Sequence, residues 1–200
     1  MEAAPGLRER KKEQTRERLR AAAFDLFTER GFDNVTVDEV AEHAEVSKST
    51  LFRYFETKED LVLADSRVHG QLLMATFAER PSDEPVMTSL RAALVSVVAG
   101  LQGDRQRFLQ RTRIVADAPT LSVRALERQA AWEDDLTALV LPRLQGRDDA
   151  ETRASVLAAA SLAVLRVATR RWAATDDGSQ LIDHLLPALD VLADELKGSD

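Results

Sequence analysis

The chain has 200 residues, 44% of them hydrophobic, which suffices for a substantial core in one domain or two. It has no cysteine, which excludes disulfides and thiolate metal sites and fits a reducing compartment. The net charge of −7 is the wrong sign for a protein that coats nucleic acid indiscriminately.

Charge distribution is more informative than its sum. Residues 1–20 carry seven Lys/Arg against four Glu, and residues 46–58 carry Lys48, Arg53 and Lys58 against Glu56. Between them, residues 21–45 set Arg30 against seven acids. Basic charge is thus confined to two segments, which can bind DNA if they share a face while the rest repels it. His43, His69 and His184 have no ligand-like spacing, so neither a metal nor a cofactor is expected. The N-terminus lacks an apolar signal region. The apolar stretch Ala154 to Leu165 is read as too short to cross a bilayer. A soluble, cytoplasmic protein with no membrane partner is therefore expected.

The apolar period is helical from end to end, and an all-α fold of about nine helices follows. Leu19, Ala23, Leu26 and Phe27 form one buried stripe, closed by Gly31 as a left-handed cap. Thr36 to Glu39 is a capping box opening a short helix with Val37, Val40, Ala41 and Ala44 inward. Glu45-Val46-Ser47 is a turn, and Ser47 caps a third helix, Lys48 to Phe55, with Leu51, Phe52 and Phe55 as packing residues. Thr57 to Asp60 starts a fourth helix reaching about Arg80. Further helices are placed at about 86–101, 105–116, 119–145, 148–174 and 179–197, with Pro142 bending the end of one and Pro187 kinking the last. Gly100–Gly103 reads as a helix stop. The first dozen and last three residues read as disordered.

Two short helices joined by a three-residue turn and buttressed by a longer helix form a helix-turn-helix, whose second short helix enters the major groove. Ser47, Lys48, Ser49 and Thr50 supply donors at that helix's N-terminus. The segment GFDNVTVDEVAEHAEVSKSTLFRYFETKEDL, residues 31–61, resembles the N-terminal domain of the TetR family of repressors. The resemblance implies a helix-turn-helix domain over residues 1–57 with a basic arm, and a helical-bundle effector-binding and dimerisation domain over residues 58–200.

It further implies phosphate contacts from Thr36, Thr50, Tyr54 and Lys58, and base-edge contacts from Lys48, Ser49 and Arg53. The arm residues Arg8, Arg10, Lys11, Lys12 and Arg16 would follow the backbone or the minor groove. Glu45 departs from the family's turn glycine, so either a non-glycine residue is left-handed or the turn differs. Phe52 replaces a common tyrosine. Asp38 stands where some relatives read a base with arginine.

In the sensor region, the nearly all-round apolar helix 154–168 and the stripe Leu181, Leu185, Leu189, Leu192, Leu196 predict a homodimer interface, with Ala163 on it. Phe108, Arg111, Trp132 and Trp172 are candidate effector contacts, alongside the alternative of surface arginine and core tryptophans. TLFRYF and the pattern around Pro119, Trp132 and Trp172 loosely resemble regulators associated with mycofactocin clusters, which implies a fatty acyl-CoA effector. The expected partners are therefore double-stranded operator DNA, a small-molecule effector and a second copy of the chain. The leading function is transcriptional repression relieved by that effector. The rival readings are a helical interaction module without DNA binding and, behind it, an enzyme, for which no catalytic constellation stands out.

Overall fold

The computed structural model describes residues 6–101, 105–175 and 177–197, with the side chains of 196 and 197 outside the description. Among the described residues there are nine α-helices and no strand. They are α1 (Leu7–Arg30), α2 (Val37–His43), α3 (Lys48–Tyr54), α4 (Asp60–Ala78), α5 (Val86–Leu101), α6 (Arg105–Asp117), α7 (Pro119–Val140), α8 (Ala150–Ala174) and α9 (Leu181–Lys197). Short 3-10 turns cover Phe32–Asn34 and Leu141–Leu144, the latter containing Pro142 and ending α7 five residues before the expected Gln145. The stop read into Gly100–Gly103 falls partly on residues 102–104, outside the described residues, and the last three residues lie outside them too.

Local chemistry sets the starts. Thr36 Oγ1 accepts from the Glu39 amide at 3.3 Å while Glu39 Oε2 accepts from the Thr36 amide at 2.7 Å, closing the capping box. These bonds to Thr36, backbone first, then the Arg30 guanidinium, hold the Glu39 carboxyl down to a pKa of about 2. Thr57 and Asp60 exchange the same reciprocal bonds at 3.2 Å before α4. Gly31 has φ 81° and ψ 148°, a glycine conformation other than the left-handed helical cap expected. Helix α1 begins at Leu7, so Arg8, Arg10, Lys11 and Lys12 are helical rather than part of a disordered arm. Closely spaced opposite charges such as Glu9 and Lys12, 3.5 Å apart, support helix there.

The chain divides into two compact units, Met1–Asp65 with Leu109–Ala125, and Ser66–Phe108 with Leu126–Asp200. The first has a core of Leu19, Phe24, Phe27, Val40, Leu51, Phe55 and Leu61, completed by Ile114, Ala118 and Leu121. A three-helix domain of some sixty residues buries too little surface to be secure. The recruited segment supplies what it lacks, and Gln110 Nε2 adds a bond to Thr28 Oγ1 at 2.9 Å. The expected boundary at residues 57/58 differs from this grouping on both counts.

The second unit packs Leu73, Phe77, Leu90, Leu94, Leu136 and Val140 against α8 and α9. Fully buried Ala154, Ala158 and Ala168 let α8 approach its neighbours closely. Leu185 and Leu189 correct an expectation: they are buried in the core of the protomer, so they are not free to form an interface. A helical stripe shows which residues share a face but not what covers that face. Leu192 is half-buried, and the side chain of Leu196 lies outside the described residues. At 25 residues α8 is also long and apolar enough to cross a membrane by length and composition, contrary to the shorter stretch read from sequence. Its inner face instead lies in this core.

Because Leu121 is 0% exposed within the first core, Leu121→Ala is expected to destabilise the protein by about 2–5 kcal/mol. Denaturant unfolding followed by circular dichroism checks this, and Leu51→Ala should cost a comparable amount.

Candidate nucleic-acid interface

Helices α2 and α3 are joined by residues 44–47. Ala41 and Ala44, both 2% exposed, allow α3 to seat fully buried Leu51 against α2. The turn is held by Val46 N–H donating to the Ala41 carbonyl and Glu45 N–H to that of Glu42, each at 2.9 Å. Glu45 has φ 54°, so of the two alternatives the side chain accepts the left-handed conformation and its strain. The turn keeps its form without glycine.

At the start of α3, Ser47 Oγ accepts from the Thr50 amide at 3.2 Å and lies 2.9 Å from Thr50 Oγ1 and 3.0 Å from Ser49 Oγ. These three hydroxyls and the free helix-end amides form a compact polar tip. Arg53 is exposed with its guanidinium 5.4 Å from the Tyr54 ring centre. Lys48 Nζ donates to Asp38 Oδ2 on α2 at 2.9 Å. Phe52, read as a packing residue, is 43% exposed; Leu51 and Phe55 alone of the three face inward. The hydrophobic spacing of a seven-residue helix has room for only one buried stripe.

Three residues expected at DNA also make contacts within the protomer. The Lys58 ammonium donates to the Phe32 carbonyl at 2.5 Å and sits 4.1 Å from the Phe32 ring centre and 5.7 Å from that of Phe27. Burial pushes its pKa down, with Asp33, Glu59 and Glu39 acting in the opposite sense. Thr36 is committed to its capping box. Arg16 lays its guanidinium 5.4 Å from the Phe55 ring centre. Arg8, Arg10, Lys11 and Lys12 are exposed along the first turns of α1. Sequence reasoning missed Arg20, a buried residue ion-paired to Asp65 at the start of α4.

Of the four effector candidates, Arg111 lies in the first unit and Phe108, Trp132 and Trp172 in the second. Trp172 is buried, donates from Nε1 to the Ser179 carbonyl at 3.0 Å and packs on Phe108 with ring centres 5.3 Å apart. Arg105 closes over the same indole and donates to the Thr175 carbonyl. Both Trp172 and Phe108 are therefore packing residues, and Arg111 belongs to the first unit. Trp132 differs. It lines a cavity of about 680 Å³ in the second unit, together with Arg67, Gly70 and Met74 of α4 and Arg128 and Asp135 of α7. A Cβ on Gly70 would lie 2.3 Å from Trp132 Nε1, so only glycine admits the indole there. Those α4 residues lie some sixty positions from Trp132, beyond the reach of periodicity.

Comparison with known proteins agrees with this architecture. Residues 19–64 match the family described as "Bacterial regulatory proteins, tetR family", and residues 84–197 match the "MftR C-terminal domain". The chain is 32% identical to the HTH-type transcriptional regulator TcmR of Streptomyces glaucescens, over 96% of this chain and 88% of that one. It is 26% identical to the mycofactocin biosynthesis transcriptional regulator MftR, assigned to Mycobacterium tuberculosis as putative, over 92% of this chain and 91% of the relative. Among solved structures, FadR from Bacillus subtilis in complex with stearoyl-CoA superposes with a TM-score of 0.60 at 18% identity, covering 88% of this chain and 96% of that one. NalD of Pseudomonas aeruginosa, the secondary repressor of the MexAB-OprM efflux pump, gives 0.57 at 20% identity, covering 89% and 96%. With its helix-turn-helix, its two matched domains and a relative of this likeness over nearly its whole length, the chain belongs to the TetR family of bacterial DNA-binding transcriptional regulators.

Proposed function

We propose that the protein is a cytoplasmic homodimeric repressor that holds a two-fold operator with α3 and releases it when an amphipathic anion binds in the second unit. It acts without enzymatic chemistry of its own. The observation that carries the DNA part is the exposed polar tip of α3 with Lys48 and Arg53, on a protein of net charge −7. The division of residues into a DNA-reading domain and an effector and dimerisation domain is kept, with Leu109–Ala125 serving the former. Ser47, Ser49, Thr50, Arg53 and Tyr54 face DNA, while Arg8, Arg10, Lys11 and Lys12 approach the flanking backbone.

Measured salt dependence tests the assignment. Lys11→Ala combined with Lys12→Ala should flatten the log–log slope by about 0.9 for each phosphate no longer neutralised. Lys58→Met should leave the slope unaltered and lower thermal stability, because its ammonium serves the Phe32 carbonyl. A slope flattened by Lys58→Met would return that residue to the phosphates.

Support for the dimer comes from the outer face of α8. Val156 and Val167 are 54% and 42% exposed, and half-buried Ala160 and Ala163 lie between them at i+4 and i+7. An apolar strip of small residues on a long helix suits close approach of a second copy. Val167→Arg should yield a monomer in sedimentation velocity while the parent chain sediments as a dimer, since an unpaired buried charge costs several kcal/mol.

The effector part rests on the cavity at Trp132. Met74 and Trp132 offer an apolar lining, and Arg67 and Arg128, which also have partners within the protein, line the same cavity with Asp135. An acyl-CoA has both features, and FadR structures hold stearoyl-CoA and, in the Thermus thermophilus protein, lauroyl-CoA. Stearoyl-CoA should weaken operator binding at least fivefold in the parent and much less in Trp132→Ala. Equal affinity with and without acyl-CoAs and free fatty acids would remove this ligand class.

A further inference from the structure

The ion pair between Asp38 and Lys48 joins the N-terminal turns of α2 and α3. Both side chains are more than half exposed, at 63% and 55%. An ion pair so open to water adds little to stability. Helix α2 is already capped by Thr36 and Glu39, so its start does not need Asp38. The other ion pairs between helices of the first unit, Arg20 with Asp65 and Arg30 with Glu39, are less exposed.

Resting on the reading of α3 as the major-groove helix, we propose that Asp38 and Lys48 together read one G·C base pair in each half-site. Lys48 donates to guanine O6 and N7, and Asp38 accepts the amino proton of cytosine N4. Asp38 is thereby a specificity-determining residue.

The match is one of spacing and order. The ammonium and carboxylate stand 2.9 Å apart, a donor beside an acceptor. On the major-groove edge of a G·C pair, O6 and N4 are partners in a Watson–Crick hydrogen bond, so they too lie about 2.9 Å apart. They present an acceptor beside a donor, the complementary order. A T·A pair offers O4 and N6 in the same order, but its flanking groups are wrong. The thymine methyl would press on the ammonium, and adenine N7, an acceptor, would face the carboxylate. With G·C, N7 gives the ammonium a second acceptor and nothing repels the carboxylate. The pair also has no net charge, so a carboxylate can enter the groove beside its own counterion. Away from a G·C pair, Asp38 keeps Lys48 from serving any phosphate within reach.

Two consequences separate this role from a merely structural one. Removing the carboxylate should lose base discrimination and at the same time strengthen non-specific binding, because Lys48 is released to the phosphates. The full-length protein, Asp38→Ala, Lys48→Ala and Arg53→Ala are each used to select duplexes from a randomised pool, and affinities for the parent's motif are measured across salt. The parent motif should contain a G·C pair in each half-site, preferred roughly tenfold or more over its alternatives. Asp38→Ala should lose that preference, bind random duplex more tightly and show a steeper salt slope, by about 0.9 per additional phosphate neutralised. An N4-methylcytosine at that pair replaces the amino hydrogen facing the groove. It should weaken the parent roughly tenfold and leave Asp38→Ala unaffected, and the parent's response is informative even if the variant folds poorly. An undiminished G·C preference in Asp38→Ala, or indifference of the parent to the methyl group, overturns the proposal. Should Lys48→Ala and Arg53→Ala also select the parent's motif, the reading of α3 falls as well.

Discussion

The DNA-reading half of this protein depends on a shortage of apolar surface. Helices α1 to α3 must bury Phe24, Phe27, Leu51 and Phe55, and so few residues enclose a core poorly. Ile114, Ala118 and Leu121 fill it from a segment nearly fifty residues downstream of α4's start. The same need draws Leu61 and Ala64 of α4 into that core. Helices α4, α6 and α7 consequently each contribute residues to both units. The proposed mechanism requires the ligand to bind one conformation of the protein better than the other.

Polar groups reinforce that core at defined points. Arg20 is buried on α1 and meets Asp65 on α4, and Gln110 on α6 bonds to Thr28 and to the Phe24 carbonyl on α1. Lys58, just before α4, caps the Phe32 carbonyl and lies over two phenylalanine rings. Breaking the Arg20–Asp65 pair would leave a buried guanidinium without its partner, which makes that tie costly to open. These ties specify where α4 leaves the helix-turn-helix. Lys58 thus makes its contacts within the first unit, although its place in the family motif suggested an outward cation.

What sequence could reveal was local. The boxes at Thr36–Glu39 and Thr57–Asp60 and the Ser47 cap are complete within four residues, and α5 runs over Val86–Leu101 as its spacing predicts. Features fixed by distant partners stayed hidden. The inward stripe of α9 meets its own protomer at Leu185 and Leu189, and nothing in its spacing distinguishes that from a partner chain. Phe52 shares the aromatic character of Phe55 but is exposed, whereas Phe55, which caps α3 in an extended conformation, is buried. The cavity needed Gly70 and Trp132 to be recognised as neighbours, and a glycine inside a helix carries no sign of what leans on it. Helical order from Leu7 was missed because charge density alone reads as disorder, while its spacing of acids and bases favours a helix.

The charge pattern finally explains what sort of DNA ligand the protein can hold. Four cations of the first unit are engaged within the protomer: Arg20 with Asp65, Arg30 with Glu39, Lys48 with Asp38 and Lys58 with a carbonyl. Other exposed cations of that unit lie on α1 at Arg8, Arg10, Lys11, Lys12 and Arg18, on α3 at Arg53, and on α6 and α7 at Arg113 and Arg124. A chain of net charge −7 gains little from an arbitrary duplex. Affinity must come from groups that find their complement only on the right base edges. A regulator built this way gives up non-specific binding and keeps the ratio between its operator and the many competing sites. That ratio, rather than absolute affinity, decides occupancy in a genome. It is also where a carboxylate on α2 becomes an advantage, because an acid in the groove costs binding everywhere except opposite a donor.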